Sequence, residues 1–517
     1  MIGTLGDLLR ARARIAPGRE ALVDLASGLR LDYAALDARI DRVAGAMAAE
    51  GIGKGDRVAV LLHNGPEFVD ALFACARLGA ILVPLNWRLT APEIAFILAD
   101  AGAETLIFES GFAATVAALK AGEAGDLPVR RLIEVESPSG PAGLGRPYAE
   151  SLGAGPADSP PAVARVTGED PLLIVYTSGT TGRPKGVVHS HDTKAAAILN
   201  VGLTADMDMR DRNLVVLPLF HIGALTPLTS ALTRGVTTVL MRTFDPAAMW
   251  DAIERERITV TLAVPAMLNF MLKAPNRDTA DRSTLRAILS GAAPVPVTLI
   301  EAYRDLGIDI HQVYGMTETC GPGCYIGGED AVARAGSTGR GYLLTEVRVV
   351  DAEGRDLPPG APGELLVRGP HNMVGYWRRP DATAETLRDG WLHTGDVAIM
   401  DAEGFVTIHD RIKDMIISGG ENVYPAEVEN VLLSHPDVAD VAVIGRPSER
   451  WGESPFAIVV PAREGVTEGD VLAHCDGRLA RFKLPKGVAF VETIPRNPTG
   501  KALKRMLRES FPGPAPE

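Results

Sequence analysis

Short apolar runs alternate with amphipathic runs along most of the sequence. The apolar runs predict buried strands, and Arg57–Leu62, Leu172–Tyr176 and Arg286–Ser290 are examples. The amphipathic runs predict helices, such as Asp32–Glu50 and Pro66–Leu78. Strands that follow one another through helical crossovers lie parallel, with the helices packed on the faces of the sheet. The pattern therefore predicts an α/β fold with parallel-type sheets.

The pattern changes twice towards the C-terminus. From about Leu344 short strands separated by turns, such as Glu346–Val350, predict a β-rich subdomain. After Asp410 a compact unit of mixed strands and helices follows. We therefore predict two domains, a large N-terminal domain of residues 1–410 and a small, mobile α/β domain of residues 411–517.

Composition and charge exclude several classes of protein. Apolar residues make up 46% and charged residues 23% of the 517 residues, which is typical of a globular chain and not of a disordered one. The net charge of −13 argues against nucleic-acid binding, which depends on clustered basic residues. No apolar run approaches the roughly 20 residues that span a bilayer, and no signal peptide is predicted. Four cysteines are too few for a disulfide framework, so we expect reduced thiols and a cytoplasmic location.

A segment rich in glycine and hydroxyl residues follows the predicted strand that ends at Tyr176. It runs Thr-Ser-Gly-Thr-Thr-Gly-Arg-Pro-Lys from Thr177 to Lys185. Its glycines allow backbone N–H groups to converge, its hydroxyls add donors and its lysine adds a charge, so the segment can cradle phosphate oxygens. It is not a Walker A loop, because the spacing G-x-x-x-x-G-K-[ST] is absent. Composition alone leaves a flexible surface loop as the alternative.

Four further motifs follow along the chain, at Tyr314–Glu318, His393–Asp396, Asp410–Pro425 and Pro495–Lys501. Together with the glycine-rich segment they resemble, in the same order, the motifs of the acyl-adenylate-forming superfamily, and the overall pattern is most similar to bacterial fatty-acyl-CoA synthetases. The resemblance extends over essentially the whole chain. It implies an AMP-forming acid–thiol ligase that uses ATP, CoA and Mg²⁺. Such an enzyme first forms an acyl-adenylate and then a CoA thioester.

The resemblance also implies roles for individual residues. The residues expected to bind ATP or AMP are Thr177, Ser178, Gly179, Thr180, Thr181, Gly182, Lys185, Gly291, Ala292, Ala293, Pro294, Gln312, Tyr314, Gly315, Met316, Thr317, Asp396, Arg411 and Lys501. The residues expected to line the acyl pocket are His221, Ile222, Leu225 and Gly315. Those expected along the CoA channel are Lys413, Ser418, Gly419, Gly420 and Glu421. The expected catalytic residues are Lys501, Thr177, Glu318 and His221, the expected Mg²⁺ ligands are Glu318 and Thr177, and the expected hinge of the C-terminal domain is Asp410.

The chemistry of several side chains fits these implied roles. Glu318 offers a hard oxygen ligand suited to Mg²⁺ beside phosphates, although an acid in such a position, considered by itself, is more often a solvated loop residue. Tyr314 presents a ring face to adenine. Asp396, which we expect in a turn, can accept hydrogen bonds from a ribose diol or cap that turn. We expect His221 to orient or gate the acyl group and not to act as a general base, because a carboxylate is already deprotonated at pH 7.

The predicted walls of the acyl pocket limit the substrate. They lie near Ile222–Thr226, Val264–Phe270 and Cys320–Ile326, are apolar or small, and contain no base for a second carboxylate. We therefore expect a hydrophobic monocarboxylate, first a medium- or long-chain fatty acid and second an aryl-propenoate of the cinnamate type. An adenylation domain that loads an amino acid onto a carrier protein is less favoured. The segment Leu219–Leu225 lacks the acid that would pair with the substrate's ammonium group.

A light-emitting oxidase and a non-catalytic nucleotide sensor would share the fold. The oxidase would add an oxygenation that the motifs do not report. The sensor is disfavoured because Lys501 and Glu318 are both present. The expected partners are small molecules only, and we expect a homodimer. The basic N-terminal segment with Arg10, Arg12, Arg14 and Arg19 predicts a solvated helix face, with peripheral attachment to an anionic membrane as the alternative.

Overall fold

The computed structural model describes residues 3–121, 127–152, 165–177, 184–205, 207–293, 295–327, 329–411, 414–418, 421–448, 451–476, 478–496 and 502–514. Its strands are β1 (Glu20–Asp24), β2 (Arg30–Asp32), β3 (Arg57–Leu61), β4 (Ile81–Pro84), β5 (Thr105–Glu109), β6 (Arg131–Val135), β7 (Arg146–Pro147), β8 (Pro171–Thr177), β9 (Lys185–Ser190), β10 (Arg212–Val215), β11 (Thr237–Leu240), β12 (Val260–Leu262), β13 (Ala287–Ser290), β14 (Asp309–Tyr314), β15 (Cys324–Ile326), β16 (Arg340–Gly341), β17 (Glu346–Val350), β18 (Pro362–Arg368), β19 (Gly375–Tyr376), β20 (Leu387–Arg388), β21 (Trp391–Met400), β22 (Val406–Arg411), β23 (Ile416–Ser418), β24 (Glu421–Val423), β25 (Val438–Ser448), β26 (Gly452–Pro461) and β27 (Val488–Phe490).

Most helices connect these strands, and 3₁₀ turns occur at Ser110–Phe112, Thr317–Thr319 and Arg481–Lys483. The helices are α1 (Leu5–Ile15), α2 (Tyr33–Ala49), α3 (Pro66–Leu78), α4 (Ala91–Ala101), α5 (Ala113–Lys120), α6 (Tyr148–Ser151), α7 (His191–Thr204), α8 (Ile222–Arg234), α9 (Pro246–Arg255), α10 (Pro265–Leu272), α11 (Val297–Asp305), α12 (Glu329–Ala333), α13 (Pro380–Thr386), α14 (Pro425–Leu433), α15 (Glu468–Cys475) and α16 (Lys504–Ser510).

Two large sheets form most of the chain and confirm the α/β prediction. One has the strand order β16-β15-β14-β13-β12-β10-β11-β1-β2, and its central pairs from β14 to β1 are parallel. The other has the order β19-β9-β8-β4-β3-β5-β6-β7, and it is parallel from β8 to β7. The first sheet has antiparallel strands at both ends, and the second has them at one end only, where β8 and β9 form a hairpin. The helical crossovers cover the sheets and bury a large apolar core.

The predicted changes of pattern near Leu344 and Asp410 correspond to two smaller sheets. The first is antiparallel, with the order β17-β18-β21-β20 and β22 paired with β21. The second has the order β24-β23-β26-β25 with β27 parallel to β26, and α14 and α15 help to form its own apolar core. Asp410 is the last residue but one of β22, so the predicted boundary coincides with the end of one sheet. Rotation at that boundary stays a prediction.

The basic N-terminal segment forms a helix that packs on the protein. Leu5 and Leu9 of α1 are buried in the core. The Arg10 guanidinium forms an ion pair with Asp41 at 2.5 Å, and the Arg12 Nε donates to the carbonyl oxygen of Thr233 at 3.1 Å. The basic face of α1, which was expected to be solvated, therefore makes part of its contacts within the protein. Within the described residues no helix is long and apolar enough to cross a membrane.

Candidate functional site

The predicted site residues collect at the carboxyl ends of strands in both large sheets. Thr177 ends β8, Gly291 follows β13, and Tyr314 ends β14. In the same sheet as β13 and β14, His221 follows β10 and directly precedes α8. The crevice outside the carboxyl ends of parallel strands is the usual place for a ligand in such sheets.

The glycine-rich segment is the connection of an antiparallel hairpin. Thr177 at the end of β8 lies opposite Lys185 at the start of β9. The predicted phosphate-binding residues Ser178, Gly179, Thr180, Thr181 and Gly182 lie outside the described residues. The Lys185 ammonium is 5.0 Å from the centroid of the Tyr376 ring, which is within reach of a cation–π contact. The hairpin therefore presents a cation at the base of the predicted phosphate loop.

Tyr376 also connects this hairpin to the predicted metal ligand. It lies in β19, a two-residue strand that pairs with β9. Its hydroxyl donates to Oε1 of the buried Glu318 at 2.8 Å. The other carboxylate oxygen of Glu318 has no hydrogen-bond partner in the part of the chain that the structure describes. A carboxylate oxygen left open beside the predicted phosphate-binding hairpin fits a Mg²⁺ ion held together with nucleotide phosphates. Sequence reasoning missed Tyr376, since its partners are far away in sequence.

The two residues expected to contact the adenosine are hydrogen-bonded to each other. The Tyr314 hydroxyl donates to Oδ2 of Asp396 at 2.6 Å, and burial beside that carboxylate raises the pKa of the phenol well above its usual range. Asp396 was expected in a turn, but it lies inside the ten-residue strand β21. The pairing of β18 with β21 is irregular there, and Gly395 has φ of +69°, so a bulge aims the carboxylate. Arg411 is the register partner of Asp396 in β22.

Two buried polar groups without partners lie beside Gly291, which is expected to bind ATP or AMP. Ser290 Oγ and Gln312 Nε2 make no hydrogen bond within the described residues, and their residues are register partners on β13 and β14. Unpaired buried donors are costly, and a flat heterocycle that accepts hydrogen bonds there would satisfy them. A Cβ at Gly291 would overlap the carbonyl oxygen of Val313, so the position requires glycine. Ala292 has φ of +69°, a strained conformation typical of functional sites, while Pro294 lies outside the described residues.

The loop after β14 turns back sharply on its own strand. A Cβ at Gly315 would overlap the carbonyl oxygen of Gly321, so glycine is required there whether or not an acyl group passes. The backbone N–H of Met316 donates to Thr319 Oγ1 at 3.1 Å. The carbonyl oxygen of Thr317 lies 2.8 Å from Nε2 of the buried His189. These bonds fix the short 3₁₀ turn that carries Glu318.

His221 directly precedes α8 and lies in apolar surroundings. Its Nε2 is buried and has no partner within the described residues. Burial, with a contribution from Arg88, lowers the pKa of His221 to about 3, so the ring is neutral at pH 7. Ile222 and Leu225 of α8 are buried in the core next to it. A neutral ring among apolar side chains fits the expected orienting role and not that of a general base.

A lysine lies between two of the predicted acyl walls, although neither wall itself contains a base. Lys194 of α7 is fully buried, and its ammonium donates to Thr226 Oγ1 at 2.7 Å. Burial lowers the pKa of Lys194. The thiol of Cys320 is close: burial would raise its pKa, but His189 and Lys194 together lower it to about 7. The sequence contains one local signal for the burial of this lysine. Lys194 directly precedes the apolar run Ala195–Ile198, on a helix that follows a buried strand.

The predicted C-terminal site residues are only partly described. Lys413, Gly419, Gly420 and Lys501 lie outside the described residues. Ser418 and Glu421 are register partners in the pairing of β23 with β24. Arg496 and Ala502, on either side of the segment that contains Lys501, form an isolated β-bridge. The following helix begins at Lys504, because Ala502 belongs to that bridge.

Comparison with known proteins agrees with this geometry. The family described as AMP-binding enzyme matches residues 9–377, and the family described as AMP-binding enzyme C-terminal domain matches residues 427–501. The long-chain-fatty-acid–CoA ligase FadD13 of Mycobacterium tuberculosis is 43% identical over 99% of both chains. A feruloyl-CoA synthase of Amycolatopsis is 44% identical over 98% of this chain and 99% of its own. A solved Mycobacterium tuberculosis fatty acyl CoA synthetase has a TM-score of 0.79 and 42% identity and covers 98% of both chains.

These relatives, together with the hairpin, the carboxylate beside it and the side chains expected to contact adenosine, lead to one conclusion. The chain belongs to the AMP-binding enzyme family, and it is an AMP-forming acyl-CoA synthetase that uses ATP, CoA and Mg²⁺.

Proposed function

We propose that the acid activated by this enzyme is a hydrophobic monocarboxylate, with a medium- or long-chain fatty acid as the first candidate. The observation that carries the proposal is that His221 Nε2 is buried without a partner among the described residues, next to the buried apolar side chains of Ile222 and Leu225. Val264 and Met267 of a second predicted wall are also buried and apolar. The similarity to FadD13 supports the same substrate class.

In the first half-reaction a carboxylate oxygen of the acid attacks the α-phosphate of ATP. A new P–O bond forms, and the bond to the bridging oxygen breaks and releases pyrophosphate. Lys501, Lys185 and the backbone N–H groups of the glycine-rich loop stabilise the negative charge that spreads over the α-phosphate oxygens. Thr177 and Glu318 would hold Mg²⁺, which supplies charge neutralisation at the phosphates when bound.

In the second half-reaction the sulfur of CoA attacks the acyl carbon of the adenylate. A thioester bond forms, AMP leaves with the electron pair of the broken C–O bond, and the thiol proton passes to solvent. The hairpin with Ser418 and Glu421 is the candidate wall of the CoA channel. Asp410 is the candidate hinge for a rotation of the C-terminal domain. This rotation would move the Lys501 loop away from the active site and bring the hairpin to it.

Pyrophosphate release with unbranched acids of increasing length tests the substrate class. We expect kcat/KM to rise from acetate to at least octanoate by about tenfold for every one to two methylenes, since each buried CH₂ contributes about 0.8 kcal/mol. The matched control is malonate against butyrate at fixed ATP and CoA. A preference for acetate or malonate over octanoate would contradict the proposal.

An aryl-propenoate is the second candidate, and the similarity to a feruloyl-CoA synthase supports it. Cinnamate and its ring-oxygenated derivatives therefore belong in the same series. Higher kcat/KM for these acids than for every unbranched acid would favour the aryl candidate.

We also infer a cytoplasmic enzyme, since ATP and CoA are available there and the four cysteines are free thiols. A homodimer remains our prediction for the oligomeric state. Light scattering of the purified chain over a range of concentrations tests it.

A further inference from the structure

One buried cation in this protein has no counter-charge that matches it. The side chain of Lys194 is 0% exposed. Its ammonium has one hydrogen-bond partner, Thr226 Oγ1 at 2.7 Å, and no carboxylate lies within ion-pair distance among the described residues. An ammonium has three donors, so two of them are left without acceptors in the part of the chain that the structure describes.

Another buried cationic site in the same molecule shows what a structural pair looks like. The Arg39 guanidinium binds the carboxylate of Asp70, with Nη2 to Oδ2 at 2.8 Å, and Asp70 is 0% exposed. Tyr148 completes that cluster by donating to the same carboxylate at 2.8 Å. Lys194 has only the Thr226 hydroxyl and the neighbouring Cys320, whose pKa is lowered to about 7, so that this thiol is only partly ionised at pH 7 and does not fully balance an ammonium. Because an unpaired buried charge costs several kcal/mol, such a cation calls for an anionic or polar ligand.

The position of Lys194 indicates which ligand that is. Thr226, which accepts from Lys194, lies on α8 and donates in turn to the carbonyl oxygen of Cys320 at 2.7 Å. A Cβ on Gly321 would lie 3.4 Å from the Cβ and Oγ1 of Thr226, so the loop after Glu318 passes close to this helix. The ammonium is therefore held at the junction of α8 and this loop, which are two of the three predicted acyl walls.

The helix that carries Thr226 has room on its first turn. A Cβ on Gly223 would meet no atom within 4 Å. Gly223 and Thr226 are three residues apart, so they lie on neighbouring positions of one helix face. The open position at Gly223 lies one turn from the Thr226 hydroxyl, which accepts the hydrogen bond from Lys194. His221 lies two residues before Gly223.

We propose that Lys194 and Thr226 form a subsite for an oxygen atom carried by the acyl group, away from the carboxylate that is activated. The inference rests on the proposed function and narrows its substrate class. The preferred acid is then apolar along most of its length but carries a neutral hydrogen-bond-accepting oxygen, as a carbonyl or a hydroxyl, where it reaches the junction of α8 and the Cys320 loop. Lys194 donates to that oxygen, and Thr226 holds the ammonium in place.

The test compares acids that differ only at the far end. For each chain length from six to twelve carbons, kcat/KM is measured by pyrophosphate release for the methyl-ended acid, the ω-hydroxy acid, the keto acid with its carbonyl next to the terminal methyl, and the α,ω-dicarboxylate. We expect at least one oxygenated acid to exceed its methyl-ended partner by about 10- to 100-fold, the range for a hydrogen bond to a charged group, and mainly through KM. The hydroxy and keto acids carry the neutral acceptor of the proposal, and a preference for the dicarboxylate alone would contradict both this subsite and the monocarboxylate of the proposed function.

Variants then assign the preference to Lys194. Lys194→Met keeps the length of the side chain and removes its donors, so it should abolish the preference while activity on methyl-ended acids is kept or raised. Thr226→Val should weaken the preference by a smaller factor, since the lysine loses its anchor. Ser230→Ala is the control, because Ser230 is a buried hydroxyl one turn further along α8 and has no partner within the described residues. It should leave the preference unchanged.

The outcomes separate the two proposals. If the wild-type enzyme adenylates methyl-ended acids well and shows no preference at any length, the subsite is wrong and the proposed function stands. Loss of activity on all acids by the same factor in Lys194→Met would show that the lysine is structural and would overturn the subsite. If no acid releases pyrophosphate, the proposed function fails and the subsite with it. Should Lys194→Met not fold, the wild-type series and Thr226→Val decide.

Discussion

Two hydroxyl groups of tyrosine hold the two acidic residues of the site. The Tyr376 hydroxyl donates to Glu318, and the Tyr314 hydroxyl donates to Asp396. Both carboxylates are largely buried, so each needs such a donor to remain in its orientation. The Glu318 carboxylate, which holds the metal in our proposal, therefore depends on a tyrosine that lies outside the motifs.

Removal of the Tyr376 hydroxyl should weaken the binding of Mg²⁺. Without its donor the Glu318 carboxylate is free to rotate, and loss of a partner that orients a metal ligand typically costs about 10- to 100-fold in metal affinity. We therefore expect Tyr376→Phe to raise the Mg²⁺ concentration for half-maximal pyrophosphate release by at least about tenfold. Tyr303→Phe, which removes a buried hydroxyl in α11, should leave it unchanged. An unchanged Mg²⁺ dependence in Tyr376→Phe would contradict the role of Glu318.

Lys501 offers a test of the first half-reaction alone. Lys501→Ala should lower acyl-AMP formation by about two to three orders of magnitude, the effect of losing one preorganised donor to a developing charge. Thioester formation from supplied acyl-AMP should survive within about tenfold, because the lysine acts only in the first step. Single-turnover assays of both steps on one preparation provide the measurement. A similar loss in both steps, or normal adenylation, would refute the assignment.

Among the helices and strands, those with local signals in the sequence were predicted best. Helix α3 spans the predicted Pro66–Leu78, because proline starts it and Gly79, with φ of +71°, ends it. Elements that depend on distant partners were missed. The two residues of β19 pair with a strand far away in sequence, and Asp396 was expected in a turn although a neighbouring strand holds it in β21. No local pattern encodes either pairing.

The same limit applies to the candidate site. Motifs singled out Thr177, Gly291 and Tyr314, which lie at the ends of strands in the structure, since carboxyl ends of parallel strands share one edge. That these residues bind the nucleotide stays a prediction. They did not predict Lys194, whose burial follows from the packing of α7 against α8 and has only one local signal, the apolar run that follows it. The sequence segments of the predicted walls therefore contain no base, although Lys194, which belongs to α7, lies between two of these walls.

Strand β22 provides a test of the hinge. Asp410 lies near its end, opposite Val397 of β21. Asp410→Pro would fix φ near about −65° and hold one orientation of the C-terminal domain. We expect one half-reaction to fall far more than the other. Asp410→Ala leaves φ unrestricted and serves as the control, and equal small losses in both steps of the proline variant would place the hinge elsewhere.

For the whole molecule, buried histidines should make stability dependent on pH. Burial, the largest effect in each case, lowers the pKa of His191 to about 4, of His371 to about 4 and of His221 to about 3. An unfolded chain binds protons at these residues below about pH 6.5, whereas the folded chain does not. Their contribution to stability is therefore complete above about pH 6.5 and decreases as the pH falls towards about 4, by about 1.4 kcal/mol per unit for each residue.

His191→Asn isolates one of these contributions. The asparagine oxygen replaces Nδ1 as the acceptor of the Leu5 N–H, but it does not titrate. We expect the Tm of the wild type to fall relative to the Tm of the variant as the pH falls from about 6.5 to about 4.5. Thermal unfolding of both proteins across that range is the measurement. A constant difference would show that the histidine is not held neutral.

The pairing of β19 with β9 also has a consequence for the order in which the chain is made. Strand β9 is complete at Ser190, yet the strand that covers its open edge ends at Tyr376, close to the last residue matched by the AMP-binding family. While the intervening residues are being synthesised, β9 offers unpaired N–H and C=O groups to any other nascent chain. A ribosome that stops before residue 375 therefore releases a polypeptide with an open sheet edge, and chaperones should hold such incomplete chains longer than chains that end just after residue 377.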